Sequence, residues 1–270
     1  MTAILIAALF TVFVWWFTTG VILILNGLPK KSYPLTLAAM SALGLAAGWG
    51  LVVMGDVPTV AGAYVGFVCG IVLWGWHEFA FLTGFLAGPR RTPCPEGAKG
   101  WRRVRFATEA ILWHELAIVA TVAVLLWLTW GDANQVGLAT FVTLWIMRMS
   151  AKLNVFLGAR NLAEEFLPDH LAYMATYFRR APMNPLFPVS VLLGTLAIAF
   201  VLKGALLPGA SGFAVASHIL VGTLVALAVI EHWFLVIPYE ATKLWKWGLI
   251  SRKADKARDR KSVIKPAVSW

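Results

Sequence analysis

The chain has 270 residues, of which 60% are apolar and 13% charged, about half the charged fraction of a soluble domain, so it cannot cover itself with polar surface. Its 14 Trp and 16 Phe, with only two cysteines, exclude disorder and a disulfide-stapled scaffold. A net charge of +10 raises the question of nucleic acid, but every basic cluster abuts an apolar run, and attraction to anionic headgroups accounts for it.

A helix needs about 20 residues to cross a hydrocarbon core about 30 Å thick. Seven stretches meet that length: Ala3 to Leu25, Leu35 to Met54, Thr59 to Leu86, Ala107 to Trp130, Val136 to Leu157, Pro185 to Leu202 and Gly212 to Ile237. Turn signals separate them, among them Asn26-Gly27, Gly55-Asp56, Gly131-Asp132 and Pro208-Gly209. The first run lacks the basic segment and cleavage site of a signal peptide and is read as a retained span. Lys and Arg alternate with the spans: 22 of the 23 fall after the first, third, fifth and seventh or at the basic end of the fifth, and only Lys203 falls opposite. The rule that basic residues stay in the cytoplasm then predicts an all-α bundle of seven transmembrane helices, residues 1–250, with the N-terminus outside and the C-terminus cytoplasmic.

Two segments extend this domain, at 152–182 and beyond the seventh span. After Asn154 the fifth span is expected to continue as a helix to Phe166 and stop at Pro168. Asp169 would then cap an interfacial helix bearing Leu171, Met174, Ala175 and Phe178 on one face. The chain after Ile237 reads as a helical extension, Tyr239 to Leu249, with Trp245 and Trp247 suited to an aromatic belt. From 251 to 270 it reads as a basic, mobile tail seeking headgroups or partners.

Ionisable side chains inside the spans carry the functional signal, because each costs about 2.5 to 3.5 kcal/mol at the centre on insertion scales. The third span holds Trp76-His77-Glu78 and the fourth Trp113-His114-Glu115, each about ten residues from their shared loop. At 1.5 Å per residue both lie about 15 Å along their helices, level if the helices are antiparallel neighbours. The seventh span adds Glu231 and His232, the fifth Arg148 and Lys152, and Glu109 sits near the mouth of the fourth. These nine residues are expected to form one buried polar cluster.

Four roles for that cluster stay open: interhelical pairs that fix helix order; axial ligation of a tetrapyrrole, haem iron or chlorophyll magnesium, with Ala110, Ala228 and Ala214 leaving room four residues before His114, His232 and His218, although His77 has Leu73 there; a redox metal site; and proton or solute transport. The adjacent His-Glu order disfavours the usual di-iron geometry, which needs Glu-x-x-His. His218, alone near the other side, reads as a core histidine. Glycines at 44, 48, 50, 62, 66 and 70 include small-xxx-small spacings that permit close helix packing. No phosphate-binding glycine loop, nucleophile elbow or zinc-binding spacing occurs.

Four strings carry a likeness: Gly100 to Ala117 (GWRRVRFATEAILWHELA), Met147 to Asn154 (MRMSAKLN), Gly158 to His170 (GARNLAEEFLPDH) and Arg179 to Pro188 (RRAPMNPLFP). Through them the chain resembles the photosynthetic complex assembly protein 2 family of anoxygenic phototrophic bacteria, over nearly its whole length. The resemblance implies a multi-pass protein of the bacterial inner membrane that serves assembly of reaction-centre or light-harvesting complexes, or their bacteriochlorophyll supply. It brings no catalytic residues, and it favours a non-enzymatic factor. It makes a tetrapyrrole more attractive for the histidines. It also points to a partner-docking surface at Arg160, Asn161, Glu164, Glu165, Asp169, His170, Arg179 and Arg180, facing photosynthetic subunits or pigment-synthesis enzymes. The rival is a membrane oxidoreductase that binds haem or metal through the same His/Glu cluster.

Overall fold

The computed structural model describes residues 1–239 and 241–251, and the expected tail lies almost wholly outside them. Among the described residues there is no strand, and seven helices are long and apolar enough to cross a membrane. They are α1 (Thr2–Asn26), α2 (Tyr33–Met54), α3 (Val60–Leu82), α4 (Gly100–Leu128), α5 (Val136–Leu157), α6 (Leu186–Lys203) and α7 (Gly212–Phe234). Where the chain leaves lipid it supplies its own caps. The Thr59 hydroxyl accepts from the Gly62 amide, and that of Ser211 from Ala214, at 3.1 Å each.

About half of the span is buried in α3 (56%) and α7 (50%), against 11% to 22% for the other five, so these two form the centre and the rest surround them. Small residues let α3 reach α5. A Cβ on Gly70 would lie 2.6 Å from Gly137 O, and one on Gly137 2.9 Å from Gly66 O. The Gly62, Gly66, Gly70 spacing is therefore a close helix contact. An apolar core of Phe67, Ile71, Leu220 and Leu224 joins α3 to α7, and Ile118, Leu125 and Phe141 join α4 and α5.

Three expectations are corrected. α5 does not run on to Phe166: it stops at Leu157, where Gly158 has φ +140°, a conformation that favours glycine. Residues Asp169–Tyr177 are 3₁₀ turns, not an α-helix lying on the bilayer, and Pro168, not Asp169, stands at the cap position. Leu171, Met174 and Tyr177 are buried at a spacing of three, which is one face of a 3₁₀ segment. Two of them, Leu171 and Met174, pack on Phe81, Leu82 and Ala87. Finally, α7 ends at Phe234 and the chain folds back across α1 instead of extending. Trp245 is buried there: its Nε1 donates to Trp16 O, while Trp16 Nε1 donates to Leu244 O, both at 3.0 Å.

Candidate functional site

The cluster is built where the basic ends of α3, α4, α5 and α7 meet. The segment after α3 fixes the height of α4. The His114 amide donates to Ala87 O at 3.0 Å and the Arg90 amide to Glu109 O at 3.3 Å. Between them Gly88 lies so close that a Cβ would sit 2.0 Å from Glu109 O. This register brings the two imidazoles together: the rings of His77 and His114 are 6.4 Å apart, centre to centre.

From His114 the site continues to Glu78, whose Oε1 is 4.0 Å from His114 Nε2 and whose Oε2 is 3.4 Å from Arg148 Nη2. Glu231 lies within electrostatic reach of both Arg148 and Glu78. Glu78, Arg148 and Glu231 line a cavity of about 280 Å³ between α1, α2, α3, α5 and α7. On the other side of α3, His77 lines a cleft of about 690 Å³ between α2 and α4, with Trp49, Trp76, Gly44, Gly48 and Thr121.

The remaining members of the expected cluster have other direct partners, although Glu115 is within electrostatic reach of Arg148 and Lys152 of His114. Glu115 forms a tight pair with Lys152 (2.6 Å) and accepts from Trp145 Nε1 (3.1 Å). Glu109 is at the mouth, 2.8 Å from Arg105 and 4.0 Å from Arg90. His232 faces α5 and α6. Its Nε2 is 2.9 Å from Ser150 Oγ and its Nδ1 2.8 Å from Ala228 O. The chain of contacts runs on from Ser150 to Ser190 Oγ (3.0 Å), then to Asn154, and from Asn154 to Asn184. His218 bonds Ala214 O through Nδ1 at 2.7 Å.

The imidazoles do not fit axial ligation as they stand. His232 has both nitrogens engaged, and His77 Nε2 is 2.9 Å from Thr121 Oγ1. His77 Nδ1 and both nitrogens of His114 have no hydrogen-bond partner among the described residues, but all three atoms are buried. A macrocycle reaching them would have to displace helix packing. Among the described residues, no three His, Cys, Asp or Glu are grouped to hold a metal ion. What the arrangement can do is neutralise charge and hold helix order.

A second assembly lies beside it. Arg103 Nη2 donates to Phe156 O (2.9 Å) and Tyr177 O (2.6 Å), with the guanidinium 3.9 Å over the Phe156 ring. Arg90 Nε donates to the Tyr177 hydroxyl at 2.7 Å. The Ala159 amide donates to Arg179 O, and Asn184 Nδ2 to Gly158 O. Of the expected docking residues, Arg160, Glu164, Glu165, Asp169, Arg179 and Arg180 are exposed, with Arg180 3.1 Å from Glu164. Asn161 is turned inward: its Nδ2 donates to Phe234 O, Ile237 O and Tyr239 O and closes the end of α7. His170 is half-buried beside Tyr33. Sequence reasoning missed Thr121, Trp145, Ser150, Asn154, Asn184 and Ser190. The only signal was a neutral polar side chain within or at the edge of an apolar run.

The family model described as "Protein of unknown function (DUF3623)" matches residues 1–256. A Rhodobacter capsulatus protein, described as an uncharacterized 30.4 kDa protein in the puhA 5′ region, is 39% identical over 254 residues, 91% of each chain. No solved structure matches.

Proposed function

Since this chain belongs to the DUF3623 family, we propose that it is a multi-pass factor of the bacterial inner membrane that serves assembly of the photosynthetic apparatus, reaction-centre and light-harvesting complexes or their bacteriochlorophyll supply. On this reading the N-terminus is outside. The exposed charges from Arg160 to Arg180 and the basic tail face the cytoplasm, where they meet partner subunits or pigment enzymes. The resemblance to the photosynthetic complex assembly protein 2 family supports the setting, and a relative in the puhA 5′ region fits it.

One observation carries the reading: the four strings that make the resemblance converge at one end of the bundle. Glu115 and Lys152 join the first to the second. Asn184 joins the second, third and fourth through Asn154 and Gly158. A segment that is fixed from beneath and charged above presents a rigid surface, which lowers the ordering cost of binding. Charge complementarity on such a surface selects partners more than it adds affinity.

The test is affinity purification of the full chain from phototrophically grown cells. Photosynthetic subunits should accompany the wild type and the His77→Ala and His114→Ala variants, and should be lost when Arg179 and Arg180 are both changed to Glu. A haem or metal that survives purification and disappears in the two His variants would replace this reading with the oxidoreductase.

A further inference from the structure

The acidic and basic side chains around the central cavity are unequal in number. Glu78 and Glu231 both face it, against the single guanidinium of Arg148. The neighbouring cation, Lys152, is held by Glu115. An arginine has five N–H donors. Among the described residues, Arg148 uses one in a 3.4 Å bond to Glu78; 48% of its side chain is exposed, and it lines the cavity. Glu231 makes no hydrogen bond among the described residues and lines the same space. Charged groups within a span face a partner or a polar cavity, and here the protein supplies the cavity with only part of the partners.

The depth and shape of the space say what completes it. Glu78 is four residues before the end of α3 and Glu231 three before the end of α7, about 5 to 6 Å along each helix, close to headgroup level. Arg148 starts deeper, nine residues before Leu157, and a long cationic side chain reaches toward the interface. Below the charges the walls become apolar at Ile71, Val72 and Leu224. Sideways the cavity is bounded by α1 and α2 at Phe17 and Leu43, both exposed on the outer surface of the bundle. A polar upper end, an apolar lower end and a side facing lipid match an amphiphile of the adjacent leaflet.

We propose that this cavity binds the headgroup of a zwitterionic aminophospholipid, with its phosphate on Arg148, its ammonium on Glu231 and Glu78, and its chains leaving between α1 and α2. A guanidinium takes phosphate oxygens in paired hydrogen bonds, and an ammonium brings three donors to the carboxylates that have spare acceptor capacity. An anionic headgroup would satisfy Arg148 equally well, yet it would leave two carboxylates beside a third negative charge. The selectivity is thus for the amine, opposite to the preference for anionic lipid that the basic loops confer at the surface.

Native mass spectrometry of the full chain, offered equal amounts of phosphatidylethanolamine and phosphatidylglycerol, tests this. The wild type should retain one phosphatidylethanolamine with a preference of about tenfold or more, the scale of one charge-assisted hydrogen bond. Glu231→Gln should abolish that preference. Met40→Trp, which puts an indole into the cavity and leaves every charge in place, should abolish retention, and it carries the test alone if Glu231→Gln does not accumulate. Retention of neither lipid, of both equally by the wild type, or unchanged by Met40→Trp overturns the proposal.

Discussion

Asn184 is the side chain whose removal the structure prices most directly. It is buried between α5, α6 and the segment after Gly158. Its Nδ2 donates to Asn154 O (3.2 Å), Asn154 Oδ1 (3.0 Å) and Gly158 O (2.8 Å), and its Oδ1 accepts from the Leu186 amide (2.9 Å) at the start of α6. The two N–H groups of one amide make about two full bonds, each worth about 1 kcal/mol net. The bond at the head of α6 acts as a cap, worth about 1 kcal/mol. Asn184→Ala should therefore cost about 3 kcal/mol. For a domain of this size 1 kcal/mol moves Tm by about 2 to 4 °C, so the loss is about 6 to 12 °C. The assay is thermal unfolding in one detergent, followed by tryptophan fluorescence, with Leu192→Ala, on the exposed face of α6, as the control expected to stay near wild type. Asn184→Asp is the sharper probe, because it keeps an acceptor for Leu186 and sets a carboxylate against the oxygens of Asn154 and Gly158. It should be at least as damaging as Ala. A melt within about 2 °C of wild type for Asn184→Ala, or an Asp variant as stable as wild type, would refute the network's role.

Three further outcomes are expected. Breaking the Glu115–Lys152 pair from either side, by Glu115→Gln or Lys152→Met, should cost more than the two changes together, since a single change strands the other partner; a double-mutant cycle on Tm reads it. Gly88→Ala should prevent accumulation of folded protein or lower Tm by more than 5 °C, about 2 kcal/mol, while Gly48→Ala, where a Cβ meets nothing within 4 Å, should leave Tm near wild type. At alkaline pH the buried Tyr177 matters: burial raises its phenol above the ordinary 10.0. The folded state then holds a proton that the unfolded chain gives up from about pH 10, so stability is intact below that value and falls above it; Tyr177→Phe should flatten this fall in pH-dependent melts.

The seven spans were legible because each is a long apolar run closed by Gly, Pro, Asn or Asp, and hydrophobicity alone decides the matter in lipid. His77 and His114 do meet, but not for the reason the sequence suggested: α3 ends at Leu82 and α4 begins at Gly100, so they stand five and fourteen residues from the loop, and the segment folded back through Ala87 and Gly88 sets their register. Which way each residue points was not legible. A span that is apolar all round hides its inward face, so His232 could not be told from His114, although one faces Ser150 and the other Glu78. The end of α5 was missed because Val155 to Phe166 contains good helix formers, and Gly158 alone marked the break. In Asp169–Tyr177 the apolar positions fit a period of 3.6 nearly as well as one of 3. Only packing of Leu171 and Met174 on Phe81 and Leu82 separates the two.

The reciprocal indole-to-backbone bonds that tie Trp16 to Leu244 and Trp245 impose an order on biogenesis. α1 enters the membrane first, yet its partner is more than 220 residues downstream, and the Ser251 hydroxyl reaches Ile24 O from the same late segment. Long-range closure of this kind is slow, and a nascent chain emerges at about 5 to 20 residues per second. For roughly ten seconds or more of synthesis, α1 waits with that face bare. Chaperoning or premature degradation has its opening in that interval, and a chain stalled before Leu244 would carry the exposed face permanently.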